Sequence, residues 1–353
     1  MFKKLLLLVI PLFFSVNFHC FGLQIDEIHV PSAIPSNLNE QGNVYGFKTN
    51  KSGNPDEFFI WDKNTKEAAY YPLPQEFSDR GVFFKRKSII FNPKAVNKHG
   101  QYPFIVVNHS PLGNAWLLYL WSPKEGTQKL GNPEPLNGNI NLRILSINDQ
   151  GDIILFNEPK DQQSTYSSEM FLFWNGKEFY RFSNPALLKT VENLSNSPEH
   201  TLNNLDEIVY PVTSAEKQEQ RAAVENFKTK QIKLIDLPKN LVPLFENENH
   251  LLIGRMENAD SYFVTVDGKQ IQFFEDLIPI SYNNKGVILG INHNKEFVLW
   301  DNGKTALLRD LLDPSIFSVT DVFTINDHGE ILGRDFQGNL VFLSTSPELI
   351  SEN

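Results

Sequence analysis

Short apolar runs alternate with polar, turn-forming clusters from one end of the chain to the other. The runs are aromatic and β-branched and helical periodicity is nearly absent, which predicts strands joined by turns. One cluster recurs. Ile325-Asn326-Asp327-His328-Gly329-Glu330-Ile331-Leu332-Gly333 has a near copy at Ile147–Ile154 and further versions at Tyr282–Gly290 and Leu38–Gly46, with a looser one at Val96–Tyr102. Two degenerate versions begin at Asn203 and Asn247. The first lacks the turn glycine, and in the second Asn249 is the expected stand-in, since Asn tolerates a left-handed backbone best after Gly. The motif asparagines are spaced 58, 51, 55, 44, 36 and 43 residues apart, about 48 on average.

Turn chemistry explains the motif. Asn opens a turn by accepting from the backbone ahead of it, and Gly three residues on takes a positive φ, so two strands return antiparallel. Each copy leads to an aromatic strand, a second short turn such as Trp174-Asn175-Gly176-Lys177 or Asp301-Asn302-Gly303-Lys304, and a fourth apolar segment. A four-stranded unit of this length is a propeller blade. The reading is all-β, a seven-bladed β-propeller, with six blades as the alternative if the degenerate 203–270 stretch is one distorted blade. The seventh unit ends at Leu343 without a fourth strand. Leu23–Val30 reads as a strand with no blade of its own and is expected to close the ring. Four of the five tryptophans, Trp61, Trp121, Trp174 and Trp300, share one repeat position and are expected to pack between blades.

The cadence Ile-Asn-Asp-x-Gly-x-Ile-x-Gly, a gap, then Phe-x-Leu-Trp-Asp-x-Gly resembles the HAF-type extracellular repeats of exported bacterial proteins. Tyr282–Lys304 and Ile325–Leu343 match best, and Glu296-Phe297 or Ala115-Trp116 replace the His-Ala-Phe triplet. The resemblance implies an exported, propeller-like protein and assigns no catalytic residues.

Composition adds the destination. Lys3 and Lys4, the apolar run Leu5–Val16, and small residues at Cys20 and Gly22 form an export signal over residues 1–22, cleaved after Gly22. The run falls short of the ~20 residues that a bilayer span needs. Phe18 and His19 before Cys20 argue against a lipoprotein signal. The mature chain, 23–353, is then one domain without cysteine, so disulfides and thiolate metal sites are excluded. Lys+Arg total 32 against Asp+Glu 42, and loss of the two signal lysines takes the formal charge from −10 to −12. Such a chain is a poor partner for nucleic acid or anionic lipid. A monomer, periplasmic or extracellular, is expected.

Antiparallel order puts the first and third turns of each blade on one face and the second turns and inter-blade links on the other. Every long insertion, Thr49–Glu57, Glu76–Phe91, Asn108–Asn114, Asn157–Glu169, Ser183–Leu202 and Thr213–Gln220, belongs to the second class and marks that face for binding. Asn184–Leu194 reads as a capped short helix over the disc. Lys85, Arg86 and Lys87 form a basic loop cluster and are weak binding candidates.

Phosphate, dinucleotide, HExxH, GxSxG, EF-hand and Asp-box motifs are absent. The pairs Asp149/Asp152 and Asp327/Glu330 offer too few carboxylates for a calcium loop. His99 and His328 fall in turns, His250 begins a strand, and His29, His109, His200 and His293 lack partners at ligand spacing. No cofactor, metal site or catalytic group is expected. The leading reading is a non-enzymatic scaffold for a protein or glycan. A propeller hydrolase or lyase acting at the channel mouth, and a structural envelope component, are the alternatives.

Overall fold

The computed structural model describes residues 23–345 except 52, 54, 75–85, 111–112, 134–139, 160–170, 182–201, 214–219, 238–240, 257–260, 267–271, 275, 302 and 313–318. The described residues form seven antiparallel sheets arranged as seven blades, which settles the count at seven rather than six.

Blade one is β2(Ala33–Leu38), β3(Val44–Thr49), β4(Pro55–Asp62) and β5(Glu67–Pro72). Blade two is β6(Arg86–Phe91), β7(Tyr102–Ser110), β8(Gly113–Ser122) and β9(Gly126–Gly131), and blade three is β10(Ile140–Ile147), β11(Ile153–Pro159), β12(Phe171–Trp174) and β13(Phe179–Arg181). Blade four shows three strands, β14(Glu207–Thr213), β15(Gln220–Asn226) and β16(Ile232–Asp236). Because β14 follows the Asn203 turn, these are its second to fourth strands. Blade five is β17(Leu241–Glu246), β18(Leu251–Met256), β19(Tyr262–Val266) and β20(Gln272–Phe274). Blade six is β21(Ile278–Tyr282), β22(Ile288–Ile291), β23(Phe297–Asp301) and β24(Lys304–Leu307). Blade seven joins β25(Val319–Ile325), β26(Ile331–Asp335) and β27(Leu340–Thr345) to β1(Leu23–Ile28), which pairs antiparallel with β27 from Leu23↔Thr345 to Ile28↔Leu340. The N-terminal strand closes the ring as its apolar pattern required.

The core lies between blades, because each sheet buries both faces against its neighbours. One cluster joins Val44, Phe59 and Trp61 of blade one to Leu332, Leu340 and Phe342 of blade seven. Another joins Phe47 and Phe58 to Tyr102, Phe104 and Trp121 of blade two. The repeated tryptophans each reach back to the preceding blade. Trp61 lies 5.3 Å from Phe342, Trp121 5.1 Å from Phe58 and Trp300 5.5 Å from Phe274, while Trp174 packs with Ile105 and Leu118. They are core residues.

Several insertion boundaries need correction. Asn108–Asn114 is a continuation of the ladder, with His109↔Asn114 and Ser110↔Gly113 paired, so only 111–112 connect β7 and β8. Arg86 and Lys87 belong to β6, the first strand of blade two, paired with His109 and Asn108, rather than to a loop. Lys85, the helix expected at Asn184–Leu194 and His200 lie outside the described residues. The first turn of blade two, 92–101, is longer than its counterparts. Ala95 and Val96 are buried there, and Asn92 Nδ2 donates to the carbonyls of Ile144 and Leu145 in blade three, at 3.2 Å each.

Candidate functional site

The motif asparagines do two jobs with one side chain. Within its own turn, each Oδ1 accepts the N–H groups two and four residues on. Asn326 Oδ1, for example, takes His328 N at 3.1 Å and Glu330 N at 3.0 Å. That use leaves the Nδ2 hydrogens free, and they point to the next blade. Asn97 donates to the carbonyl of Asn148 at 3.0 Å, Asn148 to that of Asn203 at 3.4 Å, and Asn203 to that of Glu246 at 3.5 Å. Asn247 donates to Asn283 at 3.2 Å, Asn283 to Asn326 at 2.9 Å, and Asn326 to Asn39 at 2.9 Å. Asn39 completes the circuit on the carbonyl of Lys98 at 3.3 Å. All seven side chains are joined in a closed belt, and six of them are buried, so each bond replaces water that cannot reach it.

The residue after each asparagine forms a second belt at the mouth of the central channel: Glu40, Lys98, Asp149, Asn204, Glu248, Asn284 and Asp327. Backbone amides donate forward to the side chain of the next blade. Lys98 N reaches Asp149 Oδ1 at 3.0 Å, Asp149 N reaches Asn204 Oδ1 at 2.8 Å and Glu248 N reaches Asn284 Oδ1 at 3.3 Å. Asn284 N reaches Asp327 Oδ1 at 2.6 Å, and Asp327 N reaches Glu40 Oε2 at 2.9 Å. Lys98 Nζ adds an ion pair to Asp149 at 2.7 Å, and Asn204 donates to Glu248. Burial first, then the charge of Asp327, pushes the Glu40 carboxyl above its ordinary range, while the hydrogen bond from Lys98 to Asp149 pushes the ammonium up.

These belts line a cavity of about 290 Å³ that also takes in Ser36, Asn37, Ser146, Ser281 and Thr324 from the innermost strands. Four carboxylates face one ammonium around its mouth, so the cavity favours a cationic or multiply hydroxylated guest. Each of the four carboxylates already accepts a hydrogen bond from a neighbouring blade. The arrangement can hold a ligand, but it presents no nucleophile paired with a base among the described residues.

The glycine position of the two degenerate turns is filled by Asp206, at φ 62°, and by His250, at φ 57°. Asn249 is therefore not the stand-in expected from the sequence. The turn bond runs from the third residue after the asparagine, and here it is His250 N that donates to Asn247 O, at 3.1 Å. Asp206 is held by Lys228, which bridges it at 2.9 Å to Asp152 of blade three at 2.7 Å. Burial, reinforced by Asp206 and opposed by Lys228, pushes the Asp152 carboxyl up to about 6.

The remaining histidines stay apart. His99 and His29 are exposed, His328 is exposed in its turn with Nδ1 3.5 Å from Glu40, and His293 is paired with Asp276. His109 meets Asn114 at 3.0 Å. His250, however, contacts Glu246 and comes close to Glu207, a grouping that spacing along the chain did not reveal. The signal was present as a departure from the repeat. Glu246 stands where Leu38, Val96, Ile147, Leu202, Tyr282 and Ile325 stand in the other copies.

No family model and no curated protein matches the chain. Among solved structures it is similar to an acylaminoacyl peptidase in complex with a chloromethyl ketone, at 9% identity over 89% of this chain and 51% of that one, TM-score 0.47. The chain thus spans about half the length of that peptidase. It is also similar to the β-propeller domain of the trilobed protease from Pyrococcus furiosus, at 9% identity over 80% of this chain and 86% of that one, TM-score 0.47. An oligogalacturonate lyase in complex with manganese matches at 10% identity over 91% and 78%, TM-score 0.42. The seven blades rest on the strand pairing itself.

Proposed function

We propose that the protein is an exported binding scaffold, built from diverged HAF-type repeats, that holds a protein or glycan on its long-loop face without catalysis of its own. The asymmetry between the two rims carries this reading. One rim spends its polar groups on inter-blade hydrogen bonds. The connections 73–85, 160–170 and 308–318 all leave strand ends on the other rim, and that rim also carries Phe336, 70% exposed in the turn between β26 and β27. A large exposed aromatic on the rim that carries the long connections supplies contact area at low entropic cost. No helix among the described residues is long and apolar enough to cross a membrane.

The test is site-specific photocrosslinking in cells that produce the protein, with the photoreactive residue at position 336 or at 328. Adducts from 336 alone are expected. Adducts from 328 alone would reverse the face assignment. A second reading, a hydrolase or lyase at the channel mouth, is favoured by the polar cavity. It requires turnover that is lost in Asp149→Asn or Glu248→Gln, and such a loss would displace the scaffold.

A further inference from the structure

We propose that Glu207, Glu246 and His250 form a binding site for a divalent transition-metal ion of the zinc class across the seam between blades four and five. Their donor atoms lie within 4.8 Å of one another. An ion bound at the ~2.0–2.2 Å typical of imidazole and carboxylate ligands fits inside such a triangle after small side-chain movements. Two carboxylates and a neutral imidazole give a donor set of charge −2, which the ion neutralises. Nitrogen with oxygen donors and no sulfur suits zinc, nickel or iron better than calcium, which takes oxygen alone.

An observation independent of the clustering points to a ligand. The Glu246 side chain is 1% exposed, and only one of its oxygens is satisfied: Oε1 meets His250 Nδ1 at 2.9 Å, while Oε2 is buried without a hydrogen-bond partner. A carboxylate oxygen left bare in a core is costly, and a cation is the partner that removes the cost. The repeat shows how specific this is. Glu246 replaces an apolar or aromatic residue, and His250 replaces the turn glycine, adopting a left-handed backbone that an L-residue enters at a penalty. Both departures fall in one turn, and their side chains touch. Glu207 comes from the neighbouring blade, where Asn203 Nδ2 donates to its Oε2 at 3.2 Å and steadies it. The His250 side chain is 43% exposed, so the remaining coordination positions can take water from the surface.

The competing account is a bare His250–Glu246 ion pair with no ion. Calorimetric titration of the untagged, chelator-treated protein at pH 7.5 with zinc chloride, and in parallel with calcium chloride, decides between them. One zinc per chain is expected, with calcium at least 100-fold weaker and zinc raising the thermal midpoint. Glu246→Leu and His250→Gly each restore what the other repeats carry at these positions, so both are expected to fold, as circular dichroism will check, and each should weaken zinc at least 30-fold. Absence of zinc binding to the native protein overturns the site. Zinc bound equally well by both folded variants also overturns it, because the ion would then sit at a surface pair such as His293 and Asp276.

Discussion

Asn326→Ala removes the link at which the two ends of the ring are joined. The side chain is 3% exposed and makes four hydrogen bonds: two accepted from its own turn, one donated to Asn39 O, and one donated to Glu330 Oε2 at 2.7 Å. At about 1 kcal/mol net for each bond, the loss should be about 3–4 kcal/mol. Asn175→Ala provides the control. That residue accepts from Lys177 N and Glu178 N and donates to Tyr180 Oη at 3.2 Å, all within its own blade and in an outer turn open to water, so about 1 kcal/mol is expected. Asn326→Asp separates the two jobs. It keeps the acceptor but loses both donors and sets a buried carboxylate against Glu330 and the Asn39 carbonyl, so it should cost at least as much as the alanine, about 4 kcal/mol or more. Urea unfolding followed by tryptophan fluorescence measures all three, and Trp61 reports directly because it packs on Phe342 across the same seam. If Asn326→Ala costs no more than Asn175→Ala, the belt is not a source of stability.

Two further outcomes follow from the packing and the charges. Gly290→Ala would place a Cβ 2.5 Å from the Ile278 carbonyl oxygen, a backbone atom that cannot rotate away, so a loss of about 2–3 kcal/mol is expected by urea unfolding. Gly338→Ala, with nothing near its Cβ but φ 88°, should cost only about 1 kcal/mol. Asp152 has a folded-state carboxyl raised to about 6, above its ordinary value, so the folded chain holds that proton more tightly than the unfolded one. Its contribution to stability is full at low pH and is lost as pH rises from about 4 through about 6. The native protein should therefore lose on the order of 2 kcal/mol relative to Asp152→Asn across that window. Parallel unfolding curves for the two would refute the raised carboxyl.

The sequence made legible whatever is repeated and local. The turn motif, the shared tryptophan position and the orphan strand at Leu23–Val30 were enough for seven blades and their closure, because each depends on neighbours within one hairpin or on a vacancy in the last one. What crosses between blades was hidden. The second role of each asparagine depends on a carbonyl 36 to 59 residues away, or 287 for Asn326, and no spacing rule encodes that reach. The grouping of Glu207, Glu246 and His250 is of the same kind. The strand Arg86–Phe91 is hidden in the sequence because its basic start masks an apolar end, Ile89-Ile90-Phe91. A subtler local signal lies in three prolines. Pro35, Pro243 and Pro279 pair with Gly46, Gly254 and Gly290, and each pair sits at a bulge where proline withholds a donor and glycine admits the displaced carbonyl.

The pairing of β1 with β27 sets the order of events during synthesis. The first strand to emerge must wait unpaired until the last has been made. At roughly 5–20 residues per second, the interval between them is some tens of seconds. Throughout that time blade seven cannot exist and the Trp61 face of blade one has nothing to cover it. Blades one to six are built from consecutive strands and can form as they are made, so the last strand completes the ring at the seam where it began, and a chain ending before Leu340 would leave β1 without a partner.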